Sequence, residues 1–210
     1  MKSFAFKQSC VMVVVLGFFL NSAQAVTQYI KGKYAVDPAH SRVSFIIPHF
    51  VVSEVEGRFN EVEGVFTLAE PFTKSSVSAK VPVSSIDTGV KQRDDHLRSK
   101  DFFEVAKFPD MKLVSKSVSG SPEAFKLVAA LTIKGVTKDV AFDGKFTGNV
   151  MDPVGQERAA LQMTGVINRK DFNINYNDQI AIGPAVGDEV KIRIWTEGLL
   201  ESGSKKTPKK

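Results

Sequence analysis

Between Tyr29 and Glu197, apolar and polar residues alternate with a period of two. Val43, Phe45, Ile47 and His49 fall on one face of an extended segment, with Ser44, Ile46 and Pro48 on the other. Val77, Ala79, Val81 and Val83 alternate with Ser76, Ser78, Lys80 and Pro82. Phe125, Leu127, Ala129, Leu131 and Ile133 alternate with Lys126, Thr132 and Lys134, and Val190, Ile192 and Ile194 with Lys191, Arg193 and Trp195. Successive side chains on a strand point to opposite faces, so the pattern predicts antiparallel strands with one buried and one wet face. Turn signals punctuate these runs: Asp37-Pro38, Gly57, Glu70-Pro71, Gly120-Ser121-Pro122, Gly135, Asp143-Gly144, Asp152-Pro153 and Gly183-Pro184. The segments between them number about eight, which argues for one all-β domain, a sandwich or a closed barrel.

One stretch breaks the alternation. Asp87 to Val105 carries nine charged residues. Val90, Arg93 and Leu97 share a helical face, with His96 beside them. Asp87 or Thr88 is placed to cap the start, and Asp94 and Arg98 form an i,i+4 pair. A helical insertion over residues 88–105 is expected. Ser99 can cap a second short turn carrying Phe102 and Phe103, whose rings need burial at the open end of a barrel.

The chain begins differently. Lys2 and Lys7 flank a positive start, Cys10 to Leu20 is uninterrupted apolar sequence, and Ala23-Gln24-Ala25 supplies the small-x-small site that signal peptidase cuts. The apolar run has 11 residues, short of the roughly 20 that span a bilayer. Residues 1–25 therefore read as a cleaved secretory signal peptide in preference to a membrane anchor. Cys10 stands at the start of the run, not after it where a lipoprotein would need it.

Cleavage leaves 185 residues and no cysteine. The mature domain, residues 26–200, must rely on its own core and has no thiol for nucleophilic, metal or redox chemistry. The net charge of +5 comes from the two ends: without the signal and the four lysines of Lys205–Lys210, the body has 22 basic and 23 acidic residues. So balanced a body is not expected to bind nucleic acid. The tail, residues 201–210, reads as a disordered basic end with at most weak contact to anionic lipid head groups.

Candidate chemistry is sparse. The sequence holds no G-x-S-x-G, H-E-x-x-H, P-loop or G-x-G-x-x-G motif. Thr88-Gly89-Val90-Lys91 matches a nucleophile-x-x-Lys spacing without a partner motif. His40, His49 and His96 could surround a zinc ion or be three separately satisfied side chains, and their spacing does not choose. If the face of Phe45 and Ile47 points inward, His49 is a polar group in an apolar lumen and needs a partner or a ligand. Arg93, Asp94, Asp95, His96 and Arg98 read either as a solvated helix face or as a polar rim around a cavity mouth. The mature chain keeps 12 phenylalanines. An eight-stranded barrel can pack its interior with such side chains or hold one ligand.

Several ordered segments carry a family resemblance. They are Tyr34 to Phe45 (YAVDPAHSRVSF), His49, Val55 to Phe59 (VEGRF), Gln92 to Phe103 (QRDDHLRSKDFF) ending at Phe108-Pro109, Leu131 to Lys138 (LTIKGVTK), and Asn168 to Phe172 (NRKDF). Together they resemble the YceI-like proteins, which are bacterial and mostly periplasmic, over about Tyr34 to Glu197. The resemblance implies an eight-stranded antiparallel lipocalin-like barrel with one helical segment. It implies a long-chain lipid in the barrel (a polyisoprenoid, an isoprenoid quinone or a fatty amide), a homodimer, no enzymatic activity and no cofactor beyond that lipid. One departure is Asn173, where the family often has Gly.

A dry tunnel suits such a guest, since each buried methylene contributes roughly 0.8 kcal/mol. The expected lumen contacts are Phe45, Ile47, Phe59, Phe66, Leu131, Phe142 and Phe172, with His49 as an interior polar contact. Arg93, Asp94 and His96 are expected at the head group, near Leu97, Phe102 and Phe103. No catalytic residue and no metal site is expected. Two alternatives stand: a lipid-directed hydrolase or isomerase with His49 or His96 as general base, and a periplasmic protein-interaction module.

Overall fold

The structure, a computed structural model, describes residues 29–181 and 183–201. The expected signal peptide and the lysines of the tail lie outside the described residues. Strands β1 (Gly32–Val36) and β2 (Arg42–His49) form one wall, interrupted by a 3-10 turn at Pro38–His40, and β3 (Ser53–Phe59) and β4 (Glu63–Leu68) run back beside them. β5 (Ser76–Pro82) and the short β6 (Ile86–Asp87) lead to helix α1 (Lys91–Arg98). The long strands β7 (Asp110–Ser121), β8 (Ala124–Ile133), β9 (Val136–Met151) and β10 (Glu157–Asn168) follow. A 3-10 turn at Arg169–Phe172, the two-residue strands β11 (Gln179–Ile180) and β12 (Gly183–Pro184), and β13 (Glu189–Leu200) complete the order.

All pairings are antiparallel. They run β1-β4-β5-β7-β8-β9-β10-β13, and β13 returns to β1 through Tyr34↔Leu200, Ala35↔Leu199 and Val36↔Gly198. The first half of β13 pairs with β2 instead, from Lys191↔Ile46 to Trp195↔Arg42, and β2 pairs with β3. The result is the closed eight-stranded barrel with one helix that the alternation and the resemblance lead one to expect. Closure leaves few unpaired edges.

The inward faces follow the sequence pattern. Leu127 and Ala129 are fully buried, while Lys191, Arg193 and Trp195 face out. One end of the barrel, here the lower end, is filled with rings: Tyr29 meets Phe72 and Phe146 edge-on at 6.0 and 5.5 Å between centroids, and Phe72 meets Phe125 at 5.4 Å. Such aromatic pairs add about 0.5–1.5 kcal/mol each beyond burial. At the upper end lie α1, the β2–β3 hairpin and the segment between the Arg169–Phe172 turn and β13.

Some expectations are corrected. Gly57 and Gly144 are not turns; they sit within β3 and β9, opposite Phe45 and Phe125. A Cβ at either position would collide with those rings, so both glycines make room for an aromatic side chain lying across the strand. The helix is shorter than 88–105, spanning eight residues, and its N-cap position is Val90, without a side-chain bond. Asp94 instead ties the preceding segment to the helix: its carboxylate accepts from Thr88 N at 2.9 Å and from Thr88 Oγ1 at 2.6 Å. Arg98 therefore pairs not with Asp94 but with Asp95, at 3.1 Å. After α1, Phe102 is buried at the barrel end as the sequence led one to expect. Asn173 takes a left-handed conformation, φ 59°, which Asn tolerates better than most residues other than Gly.

Candidate functional site

The upper half of the barrel is not packed solid. It encloses a cavity of about 370 Å³, within the roughly 300–1,000 Å³ usual for small-ligand sites. β2 contributes Val43, Phe45 and Ile47, β5 contributes Val77, Ala79 and Val81, and β13 contributes Val190, Ile192 and Ile194. Leu131 and Ile133 of β8, Phe142 of β9, Met163 of β10 and Phe66 of β4 line it as well. These are the alternating apolar residues of each strand, so the period-two pattern itself builds the lining. Phe59, Leu97, Phe102, Phe103 and Phe172 also border the space.

Charged and imidazole groups gather at the upper end. Arg93 is fixed there: its Nε donates to Thr88 Oγ1 at 2.7 Å and its Nη2 to Thr88 O at 2.8 Å. His96 lies 3.2 Å from Asp101 Oδ2, with its ring edge-on to Phe102 and Tyr176 at 5.1 and 5.0 Å between centroids. The Tyr176 hydroxyl donates to Asp178 Oδ2 at 2.8 Å, and that bond pushes its pKa up. His49 also borders the cavity, beside the loop of Ala185 and Val186.

Arg169 is the buried cation of this end, 3% exposed. Its guanidinium donates to the carbonyls of Gly187, Ile174, Tyr176 and Val186, and contacts Asp188 Oδ1 at 3.3 Å. Burial pushes its pKa down while Asp188 opposes that shift. A charge placed there is tolerated because its donors are met by oxygens in the fork geometry that arginine presents. Arg169 thus staples the 174–187 segment across the upper end of the barrel.

All but one of the side chains expected at the ligand border this cavity. Asp94 does not: it is buried beneath α1 and engaged by Thr88, so it is a helix-start support and not a head-group contact. Of the charged cluster only Arg93 and His96 reach the cavity, because Asp95 is paired outward with Lys91 and Arg98. Thr88 and Lys91 do not form a nucleophile pair, since Asp94 and Arg93 hold the Thr88 hydroxyl and Lys91 points to Asp95. Phe50, Arg169, Tyr176 and Asp178 were not expected at the site. The only local cue to Arg169 is its place in the NRKDF segment.

The three histidines do not converge. The metal-ligating side chains that cluster among the described residues are Asp37, His40 and Glu197. Arg158 already occupies that cluster from the outer wall, with Nη1 at 2.8 Å from Asp37 Oδ2 and 2.7 Å from Glu197 Oε1. Arg158 first and His40 second pull the Asp37 pKa down to about 2.

A closed antiparallel barrel around one apolar cavity, with a short helix over its upper end, defines a lipocalin-like binding fold. Residues 34–197 match the YceI-like domain, and the chain belongs to that family. Protein YceI of Salmonella newport is 36% identical over 189 residues, covering 88% of this chain and 96% of that protein. BcnA of Burkholderia cenocepacia shares the fold at a TM-score of 0.68 and 23% identity, covering 77% of this chain and 98% of that one. A polyisoprenoid binding domain from Saccharophagus degradans shares it at a TM-score of 0.59 and 15% identity, covering 80% of this chain and 98% of that one.

Proposed function

We propose that the protein is a lipid-binding or carrier protein of the periplasm, which shelters a long-chain lipid such as a polyisoprenoid, an isoprenoid quinone or a fatty amide and does not transform it. The observation that carries this is the cavity of about 370 Å³ walled mainly by Val, Ile, Leu and Phe side chains, with its charged and imidazole groups toward its upper end. A chain of apolar units gains roughly 0.8 kcal/mol per methylene on entering such a space, without directional bonds. Arg93, His96 and Tyr176 are the head-group contacts, and His49 is a second polar contact. The polyisoprenoid-binding name of the Saccharophagus domain supports this ligand class.

The homodimer implied by family membership and weak membrane-surface contact belong to the same proposal. Native mass spectrometry and organic-solvent extraction of purified protein test it. A co-purifying hydrophobic mass, or stoichiometric uptake of an added polyisoprenoid, is expected. Protein that carries no lipid and takes up none would overturn the reading.

A further inference from the structure

Two loops meet at the upper end of the barrel, and neither carries a charge. Residues 46–53 (IIPHFVVS) end β2 and turn into β3; residues 179–181 (QIA) and 183–187 (GPAVG) hold β11, β12 and the turn after them. This lack of Asp, Glu, Lys and Arg stands out in a chain that is 24% charged. The two backbones are joined: Phe50 N donates to Ala185 O and Gly187 N to Pro48 O, each at 2.9 Å.

The hairpin tip is apolar and open to solvent, with Phe50, Val51 and Val52 exposed by 42%, 61% and 79%. Phe50 and Val51 have φ of 50° and 64°. A β-branched residue in this left-handed region is strained, and strain of this kind collects at functional sites. Charges begin only behind the tip, where Lys191 pairs with Glu54 at 3.5 Å and Lys170 with Asp188 at 2.8 Å. Phe50, Ala185 and Val186 also border the cavity, so the exposed tip and the lumen share apolar residues.

We infer that this uncharged rim docks on a lipid bilayer, seating Val51 and Val52 at the acyl boundary so that a lipid passes between membrane and cavity without entering water. The inference rests on the lipid-binding reading. A bilayer is the occupant because the rim continues directly into a cavity whose guest resides in membranes, and the rim itself carries no charged residue for a protein partner to match. Such contact is driven by apolar burial, unlike contact through the basic tail. It needs no anionic lipid and persists in salt.

Flotation of the full mature protein with phosphatidylcholine vesicles, at low and high salt, tests this. The variant is Val51→Asp with Val52→Asp, which lie at the tip and not in the cavity wall. Asp adopts left-handed backbone more readily than Val, so the hairpin is kept. Val154→Asp, 79% exposed on the β9–β10 hairpin at the other end, is the control. Wild type and the control should float at both salts, and the double variant should lose about tenfold or more in vesicle affinity. Transfer of a fluorescent polyprenol out of the vesicles should slow in parallel, while uptake of the same polyprenol from detergent stays unchanged.

Wild type that does not float, or a double variant that floats equally well, overturns the inference. So does a double variant that turns a dimer into a monomer by light scattering when wild type shows no vesicle binding; the rim is then a contact between copies. Wild type that floats but takes up no polyprenol from detergent supports docking and overturns the lipid-binding reading instead.

Discussion

The ring of Phe45 lies across the backbone of Gly57 on the neighbouring strand, where a Cβ would stand 2.8 Å from Phe45 Cε1. Gly57 thus sets how far the ring sits back from the cavity that it borders. Gly57→Val should push the ring into the lumen, destabilise the fold by about 1–3 kcal/mol, and reduce lipid uptake. Chemical denaturation and a lipid-uptake assay on one preparation check both parts; unchanged uptake would show that Phe45 does not gate the space.

Leu131→Trp keeps the wall apolar while filling volume. It should leave a folded barrel, at a cost of about 1–3 kcal/mol for overpacking, with lower occupancy or a shorter bound chain. The mass of the co-purifying lipid, compared with wild type, is the readout.

Arg169→Met removes the staple from the carbonyls of Ile174, Tyr176, Val186 and Gly187. A loss of about 3 kcal/mol is expected from breaking a buried charged network. Amide hydrogen exchange should quicken across residues 174–187 more than in β8, where the strand core is untouched. Uniform acceleration along the chain would assign Arg169 a global role instead.

The Asp37–Arg158 pair predicts an acid limb of stability. Arg158 holds the Asp37 carboxyl at about 2, below the usual carboxylate range. A depressed folded-state value means that the pair stabilises the protein above about pH 4, and that this is lost as pH falls toward 2. Asp87, Asp95 and Asp152 shift in the same direction through their own bonds. Arg158→Met should flatten this limb, as read from thermal unfolding between pH 2 and 5.

Much of the barrel is legible along the chain, because strand side chains alternate by geometry. Val190, Ile192 and Ile194 announce their inward face without any knowledge of their neighbours. Gly57 and Gly144 mislead for the converse reason: a glycine marks a missing side chain, not what fills the gap, and the fillers here are rings on adjacent strands. Asp94 misleads because a charged residue on a short helix looks solvated until Thr88 folds back onto it. Arg169 is harder still, since its partners are mostly carbonyls, and backbone oxygens leave no mark on sequence.

The sequence by itself determined the all-β class, the helical interruption near the middle of the chain and the apolar character of the inner face. Local geometry converts residue order into those properties. Only the tertiary structure decided that the inner face encloses open volume above the Tyr29, Phe72, Phe125 and Phe146 rings, and that two uncharged loops lie side by side at the other end. Both depend on distances between residues far apart in the chain, which closure of the barrel fixes and alternation does not encode.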